Sequence, residues 1–241
     1  MASLRLDKIL AKSGFGSRKD VKKLVAERRV SVNGVVVTDS GMKAEESEVL
    51  VDGNPVCYKE FVYLIMNKPQ GVVSSTEKGP SKTVIDLLPE EYRKFEPFPV
   101  GRLDKDTEGL LLITNDGQLA HELLAPKKHV DKTYYADIEG RVTEQDVIAF
   151  SEGLDIGEKK PTLPAKLEII KSGEMSEIYV TLHEGKFHQV KRMFEAVGKK
   201  VVFLKRVRMG EMELPQDLET GEFREVEKEF VQSAQKKSVT L

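Results

Sequence analysis

The pattern of hydrophobic and polar positions at the start of the chain predicts two short amphipathic helices. The first spans residues 4–13, where apolar side chains share one face: Leu6, Ile9 and Leu10. The second begins after Ser17, a predicted N-cap, with Asp20 three residues on in a weak capping-box arrangement. Basic side chains occupy the remaining faces of both helices.

A hairpin and a further strand complete this predicted N-terminal unit. Valine-rich runs at 30–32 and 35–37 flank Asn33-Gly34, which is a strong hairpin signal. The run at 49–51 is followed by another turn, so the unit closes near residues 55–60. The predicted divisions of the chain are a small N-terminal domain, a larger second domain and a short C-terminal tail: residues 1–58, 59–235 and 236–241.

The second domain shows strands and helices in irregular alternation. Strands are predicted at 63–66, 110–114, 133–139, 165–170 and 177–183. Helices are predicted at 117–124, 143–152 and 187–197. Several strands look hairpin-connected, which favours an α+β fold with a mainly antiparallel or mixed sheet flanked by helices over a doubly wound parallel one.

Composition restricts the classes of function. The 241 residues include one cysteine, Cys57, and four scattered histidines, so neither an internal disulfide nor a spaced metal cluster is expected. No apolar run approaches the roughly 20 residues of a membrane span, and the first residues lack the apolar stretch of a signal peptide. These features predict a reducing, cytoplasmic compartment.

Charge is distributed unevenly along the chain. The formal net charge is −2, but residues 1–30 hold nine basic and three acidic side chains, a local charge of +6. A solvated charged surface would explain such a run, and so would binding to a polyanion such as RNA.

The layout of this segment favours RNA. The runs at 5–10, 14–18 and 29–34 have the order and spacing of the S4 RNA-binding domain, which the first 55 or so residues resemble. The resemblance implies RNA binding without implying a reaction. The side chains it assigns to RNA are Arg5, Lys8, Arg18, Lys19, Lys22 and Arg29.

A second informative segment, residues 101–112, is a polar loop with an embedded carboxylate that leads into an apolar strand. It could be an ordinary connecting loop, or Asp104 and Asp106 could form the carboxylate pair of a hydrolase. The segment closely resembles the catalytic signature of the pseudouridine synthases. That resemblance implies that Asp104 is the catalytic carboxylate and that Arg102 enters the RNA stack when the target uridine flips out.

Four further positions along the chain match the same family in the right order. Lys68-Pro69-Gln70-Gly71 resembles its Lys-Pro-x-Gly loop, which assigns Lys68 to the substrate and RNA side of the site. Tyr134, in Lys132-Thr133-Tyr134, matches the active-site tyrosine, although a lone strand tyrosine is also ordinary core. Lys191 matches the basic residue that pairs with the aspartate, and Leu204 matches an apolar residue lining the uracil pocket.

The form of residues 185–193 resembles the small-subunit, RsuA type of pseudouridine synthase, which implies 16S ribosomal RNA and its uridine 516 as target. A 23S ribosomal RNA target is the nearest alternative, and a non-catalytic S4 assembly factor is a second. His188 is interpreted as structural or as an RNA contact. Because the isomerisation imports no group and oxidises nothing, no cofactor is expected. The expected partner is 16S ribosomal RNA or a small-subunit particle, and the expected oligomeric state is a monomer.

Overall fold

The computed structural model describes residues 3–77, 79–125 and 130–235, so the predicted tail at 236–241 lies outside the described residues. The chain divides into two units. The first comprises Met1–Val62 with Leu88–Pro97, and the second comprises Tyr63–Leu87 with Phe98–Leu241. The segment Leu88–Pro97 thus groups with the N-terminal unit, although it follows the first strand of the second unit.

The first unit is built from short strands and helices. Its strands are β1 (Leu4–Arg5), β2 (Val30–Val32), β3 (Val35–Val36), β4 (Lys43–Ala44), β5 (Val49–Val51) and β6 (Asn54–Pro55). Its helices are α1 (Leu6–Lys12), α2 (Arg18–Ala26) and α3 (Glu90–Arg93). Strands pair in the order β3-β2-β5-β6, and β1 pairs separately with β4.

The local signals of the first unit are confirmed. Ser17 caps α2 and Asp20 bonds back to it, which makes a complete capping box. Asn33 and Gly34 both take positive φ, at 52° and 76°, as the tight turn between β2 and β3 requires. The apolar faces of α1 and α2 meet the inward side of the strands in one core that includes Leu6, Ile9, Leu10, Val21 and Val25.

The second unit contains the long strands and the longer helices. Its strands are β7 (Tyr63–Lys68), β8 (Phe98–Pro99), β9 (Glu108–Thr114), β10 (Lys132–Glu139), β11 (Lys166–Lys171), β12 (Met175–Leu182), β13 (Lys200–Met209), β14 (Met212–Glu213) and β15 (Phe223–Glu225). Its helices are α4 (Gly117–Leu124), α5 (Glu144–Glu152), α6 (Gln189–Ala196) and α7 (Lys228–Gln232).

These strands form one mixed sheet in the order β11-β12-β10-β13-β9-β7-β15, with β14 beside β13 and β8 beside β9. Every recorded strand pair is antiparallel except β9 and β13, which run parallel. The predicted α+β fold with a mainly antiparallel sheet is therefore confirmed. The sequence did not predict β13, although this strand lies at the centre of the sheet.

Two apolar cores flank this sheet. One packs α4 and α7 against β7 and β9, around Ile65 and Leu112. The other packs α5 and α6 against β10 and β12, around Phe150 and Phe194. Among the described residues, no helix has the length and apolarity needed to cross a membrane.

Candidate active site

A cavity of about 470 Å³ opens on the second unit, where the parallel strands β9 and β13 meet β10. The loop before β9 and the turn before α6 close its sides. Four residues predicted for the site line it together: Arg102, Asp104, Tyr134 and Leu204. The structure therefore gathers into one cavity residues that lie far apart in the sequence.

A buried lysine holds the loop that carries Asp104 in place through hydrogen bonds. The ammonium group of Lys68, at the end of β7, donates to the carbonyl oxygens of Pro69 (3.0 Å), Asp104 (2.9 Å) and Thr107 (2.8 Å). The hydroxyl of Ser74 adds a reciprocal pair of bonds with the backbone of Leu103. These bonds fix the backbone on which the Asp104 carboxylate stands.

The assignment of Lys68 to RNA contact is therefore corrected. Its side chain is completely buried, and its donors are used by backbone carbonyls rather than turned toward a ligand. Burial lowers the pKa of Lys68 to about 8, even though Asp104 and neighbouring carboxylates favour its charged form. Lys68 is a positioning residue for the loop.

Gly109 allows the two parallel strands to approach closely. Its φ is +103°, and a Cβ atom there would lie 2.2 Å from the carbonyl oxygen of Arg206. Only glycine fits both the backbone conformation and the contact. The glycine that follows the carboxylate loop in the sequence thus brings β13, and with it Leu204 and Arg206, against the site.

A cluster of charged side chains surrounds Asp104. The ammonium nitrogen of Lys191, on α6, lies 3.5 Å from Oδ2 of Asp104 and 2.6 Å from Oδ1 of Asp106. His188 Nε2 lies 3.7 Å from the other oxygen of Asp104. Burial alone would raise the pKa of Asp106, but the bond and charge of Lys191 hold that pKa below its usual value.

The turn before α6 is locked by side chains. Gln189, which is buried, accepts from the backbone N–H of Lys186 at 2.8 Å and donates to Glu184 at 2.9 Å. His188 takes a left-handed conformation, with φ 49° and ψ 35°, at the start of the helix. This bend leaves Phe187 exposed at the cavity and stacked on the imidazole of His188, with the two ring centres 3.8 Å apart.

Sequence reasoning missed two cations of the cavity, Lys132 and Arg206. Burial, and then the charge of Arg206, lower the pKa of Lys132 to about 8. Arg206 is almost fully buried and donates from Nε to the carbonyl oxygen of Leu110 at 2.8 Å. In the sequence, Lys132 is marked by its place in the Lys132-Thr133-Tyr134 motif. Arg206 is marked only by the apolar run at 201–204 that precedes it.

The basic residues predicted to bind RNA lie in the first unit, and their environments differ. Arg5, Lys8 and Arg29 already form ion pairs, with Asp7, Glu60 and Asp52 respectively. Arg18, Lys19 and Lys22 are exposed on α2, and no ion pair is recorded for them within the described part of the chain. These three residues of α2 thus form the more open basic surface.

No group of three metal-binding side chains occurs within the ranges that the structure describes.

Comparison with family models gives two matches along the chain. Residues 62–196 match the model described as RNA pseudouridylate synthase. Residues 4–50 match the model of the S4 domain. The first match includes the loop of Asp104, Tyr134 and the start of α6, and the second includes α1 and α2.

Curated relatives are similar over nearly the whole chain. An uncharacterized RNA pseudouridine synthase of Bacillus subtilis (strain 168) is 51% identical over 94% of this chain and 96% of its own. The ribosomal small subunit pseudouridine synthase A of Escherichia coli (strain K12) is 39% identical over 95% and 99%. The ribosomal large subunit pseudouridine synthase B of Bacillus subtilis is 40% identical over 92% and 91%.

A solved structure shares the architecture as well. A crystal structure of pseudouridylate synthase is 36% identical in sequence, with a TM-score of 0.68. The match covers 96% of this chain and all of the other.

Proposed function

This chain belongs to the RNA pseudouridylate synthase family and carries an S4 domain, and from that premise we propose that it isomerises one uridine of 16S ribosomal RNA. Asp104 is the catalytic carboxylate in this proposal. The observation that carries it is the position of Asp104 on the wall of a base-sized cavity, with the ammonium group of Lys191 3.5 Å away.

The reaction breaks the bond between N1 of uracil and C1′ of ribose and rejoins the base through C5. Asp104 acts on the substrate either by covalent addition or by taking the C2′ proton on a glycal path. Both paths need an ionised carboxylate in a partly buried site. The ammonium group of Lys191, 3.5 Å from Oδ2 of Asp104, supplies the positive charge that stabilises this carboxylate.

The target uridine must leave its stack to reach Asp104, which costs a few kcal/mol. Arg102 is exposed at the cavity and can occupy the space that the base vacates. Tyr134 and Leu204 line the cavity wall, where the ring of Tyr134 stacks on the uracil and its hydroxyl assists the final proton transfer. Lysine and arginine side chains of the S4 domain hold neighbouring RNA through phosphates.

The choice of 16S RNA rests on the turn before α6. Lys186-Phe187-His188 stands where the large-subunit group usually has Arg-Asn-Arg, so the stacked pair of Phe187 and His188 replaces an Asn and an Arg of that group. A 23S target is the second candidate, favoured by the 40% identity to a large-subunit synthase. The small-subunit relatives are equally similar, at 39–40%.

Pseudouridine mapping separates these targets. Ribosomal RNA from cells that lack the gene should lose one pseudouridine, expected at position 516 of 16S RNA, and wild-type protein should restore it. The Asp104→Asn form, produced at the same level, should bind the RNA without restoring the site. Loss of a 23S site would redirect the proposal to the large subunit, and restoration by Asp104→Asn would refute the role of Asp104.

A further inference from the structure

The charged side chains that line the cavity are unbalanced. Asp104 is the single carboxylate among the described lining residues, whereas the cations are Arg102, Lys132, Lys186 and Arg206. Lys186 donates to two backbone carbonyls, and Arg102 is exposed. Lys132 and Arg206 are the cations set into the wall itself, on the neighbouring strands β10 and β13.

Arg206 keeps hydrogen-bonding capacity that the protein does not use. The residue is 2% exposed, and its Nε donates to the Leu110 carbonyl oxygen. Its Nη2 atom is buried and has no hydrogen-bond partner in the described part of the chain. The close contact with Gly109 holds the backbone of Arg206 in place. Nη2 could therefore reach bulk water only if the side chain of Arg206 rotated.

Lys132 also keeps hydrogen-bonding capacity that the described part of the protein does not use. Its ammonium nitrogen donates to the carbonyl oxygen of Val130 at 3.0 Å. Within the described ranges no carboxylate lies at ion-pair distance from it, because the adjacent Asp131 bonds to His183 instead, at 2.7 Å. Partial burial, and then the charge of Arg206, lower the pKa of Lys132 to about 8.

Arg206 is buried and Lys132 is partly buried, and within the described residues neither has a carboxylate at ion-pair distance. The cost of their desolvation is therefore offset only in part, for Lys132 by the charge of Asp131. An anion that enters the cavity would offset this cost. The proposed reaction supplies one, since the electron pair of the broken N1–C1′ bond stays with the base. The detached uracil then carries a negative charge, shared among N1, O2 and O4.

We propose that Lys132 and Arg206 hold the uracil as an anion during the interval in which it is detached from the ribose. This inference rests on the proposed isomerisation. As the N1–C1′ bond breaks, either C1′ forms an ester bond to the Asp104 carboxylate or the sugar gives its C2′ proton to that carboxylate. The base turns while the two cations hold its carbonyl oxygens. C5 then bonds to C1′ as the ester bond breaks or as the proton returns to C2′. The proton that leaves C5 goes to N1, so atoms and charge balance.

The backbone phosphate of the flipped nucleotide is the other anion that could approach. The position in the wall favours the base, because Arg206 is almost fully buried beside β9, opposite Gly109, and Lys132 lies two residues from Tyr134 on β10. A phosphate contact would be made equally before and after bond cleavage, whereas a uracil contact matters only between cleavage and rejoining. The two sources therefore give different products when the cations are removed.

The test measures released uracil beside pseudouridine, with 16S ribosomal RNA labelled in its uracil rings and with small-subunit particles from cells lacking the gene. Wild type should form pseudouridine and release almost no free uracil. Lys132→Gln and Arg206→Gln, which both remove the positive charge, should lower turnover at least tenfold and release uracil in at least one tenth of the remaining events. Lys205→Gln, one position from Arg206 on the opposite face of β13, is the matched control and should behave as wild type.

The pH profile of kcat/KM tests the charge of Lys132 separately from folding. The groups that face it are Arg206 from β13, Asp131 with His183 beside β12, and Asp104, Lys186 and His188 across the cavity. Because Lys132 must be protonated, kcat/KM of wild type should fall above pH 8. Lys132→Arg, which stays charged, should retain only the part of that fall that is due to Lys68, whose pKa is also about 8, and should not release uracil.

The outcomes separate this inference from the function on which it rests. Absence of pseudouridine with wild-type protein would refute the proposed function and this inference together. Normal wild-type product with no uracil released by the variants, together with a raised KM for RNA, would assign the two cations to a phosphate and overturn this inference alone. An unchanged pH profile in Lys132→Arg would also contradict it.

Discussion

Lys191 lies 0.9 Å nearer to a carboxylate oxygen of Asp106, at 2.6 Å, than to one of Asp104, at 3.5 Å. The Asp106 side chain is 68% exposed, whereas that of Asp104 is 31% exposed. The cation is therefore shared between an outer and an inner carboxylate. An exposed ion pair contributes little free energy, so the outer contact can be given up at small cost.

Removal of the outer partner should leave catalysis nearly intact. Asp106→Asn is expected to change turnover by less than about fivefold, because an exposed pair contributes at most about 1 kcal/mol and Lys191 then pairs with Asp104 alone. Lys191→Met should lower turnover by roughly 10- to 1000-fold, since the carboxylate loses the cation that favours its charged form. Single-turnover rates on saturating RNA measure both effects. A loss at Asp106→Asn as large as that at Lys191→Met would place Asp106 in the catalytic chemistry.

Lys68 should matter for stability as well as for activity. Lys68→Met leaves the buried carbonyl oxygens of Asp104 and Thr107 without their donor, at an expected cost of about 2–4 kcal/mol in the free energy of unfolding. Denaturant unfolding measures this cost, and hydrogen exchange should rise at residues 103–107. Lys105→Met, whose lysine is exposed and bonded to Ser81, is the control. Equal stability of the two variants would refute the anchoring role of Lys68.

The close contact between β9 and β13 can be tested at Gly109. Gly109→Ala should destabilise the protein by roughly 3–5 kcal/mol, because the methyl group meets the Arg206 backbone and the positive φ is strained. Gly117→Ala at the start of α4 has free space around it and should be neutral or slightly stabilising. Chemical denaturation of both variants gives the comparison. A well-tolerated Gly109→Ala would mean that the strands can separate.

The basic surface of α2 should set part of the salt dependence of RNA binding. Replacement of Lys19 and Lys22 by glutamine should weaken affinity and reduce the slope of log affinity against log salt by about 1.4–1.8, if each contacts one phosphate. Lys166 and Lys171, which are exposed on the edge strand β11, provide the control pair. Filter binding from low to high salt measures the slope. The same slope in the α2 variant and wild type would exclude α2 as a phosphate-binding surface.

Phe187 should contribute to RNA binding through stacking. Its ring is 71% exposed at the cavity and stacks on His188, and a base stacked on an aromatic side chain contributes about 1–3 kcal/mol. Phe187→Ala should therefore weaken RNA binding at least fivefold, and Phe187→Tyr should restore it. Ile170→Ala, at another exposed apolar residue, is the control. Undiminished affinity in Phe187→Ala would leave the exposed ring without a role in binding.

The parts of the fold that depend on local chemistry were predictable from the sequence. The capping box at Ser17 and the Asn33-Gly34 turn involve residues within a few positions of each other, so their patterns are sufficient. Strand β13 was missed because lysines and arginines interrupt its apolar positions. Its place in the sheet depends on pairing with β9 and β10, which are distant in sequence.

In the candidate site, too, the features that depend on distant contacts could not be predicted from local sequence patterns. The proximity of Asp104 and Lys191 was expected through family resemblance, because no local pattern relates residues so far apart. Lys68 was misassigned, since a lysine before proline and glycine looks like an exposed turn. Its burial follows only when the end of β7 meets the carbonyls of a distant loop. The lack of a hydrogen-bond partner for Nη2 of Arg206 among the described residues likewise depends on packing that a single sequence does not reveal.

The parallel pairing of β9 with β13 also determines at what stage of protein synthesis the cavity can form. The cavity needs Lys68 from the first long strand, Asp104 from the loop after it, Lys191 from α6 and Arg206 from β13. A nascent chain that has not yet released residue 209 has no complete cavity. The ribosome must therefore translate beyond β13 before the cavity can form, and a chain that stops before β13 lacks Leu204 and Arg206 from the cavity wall.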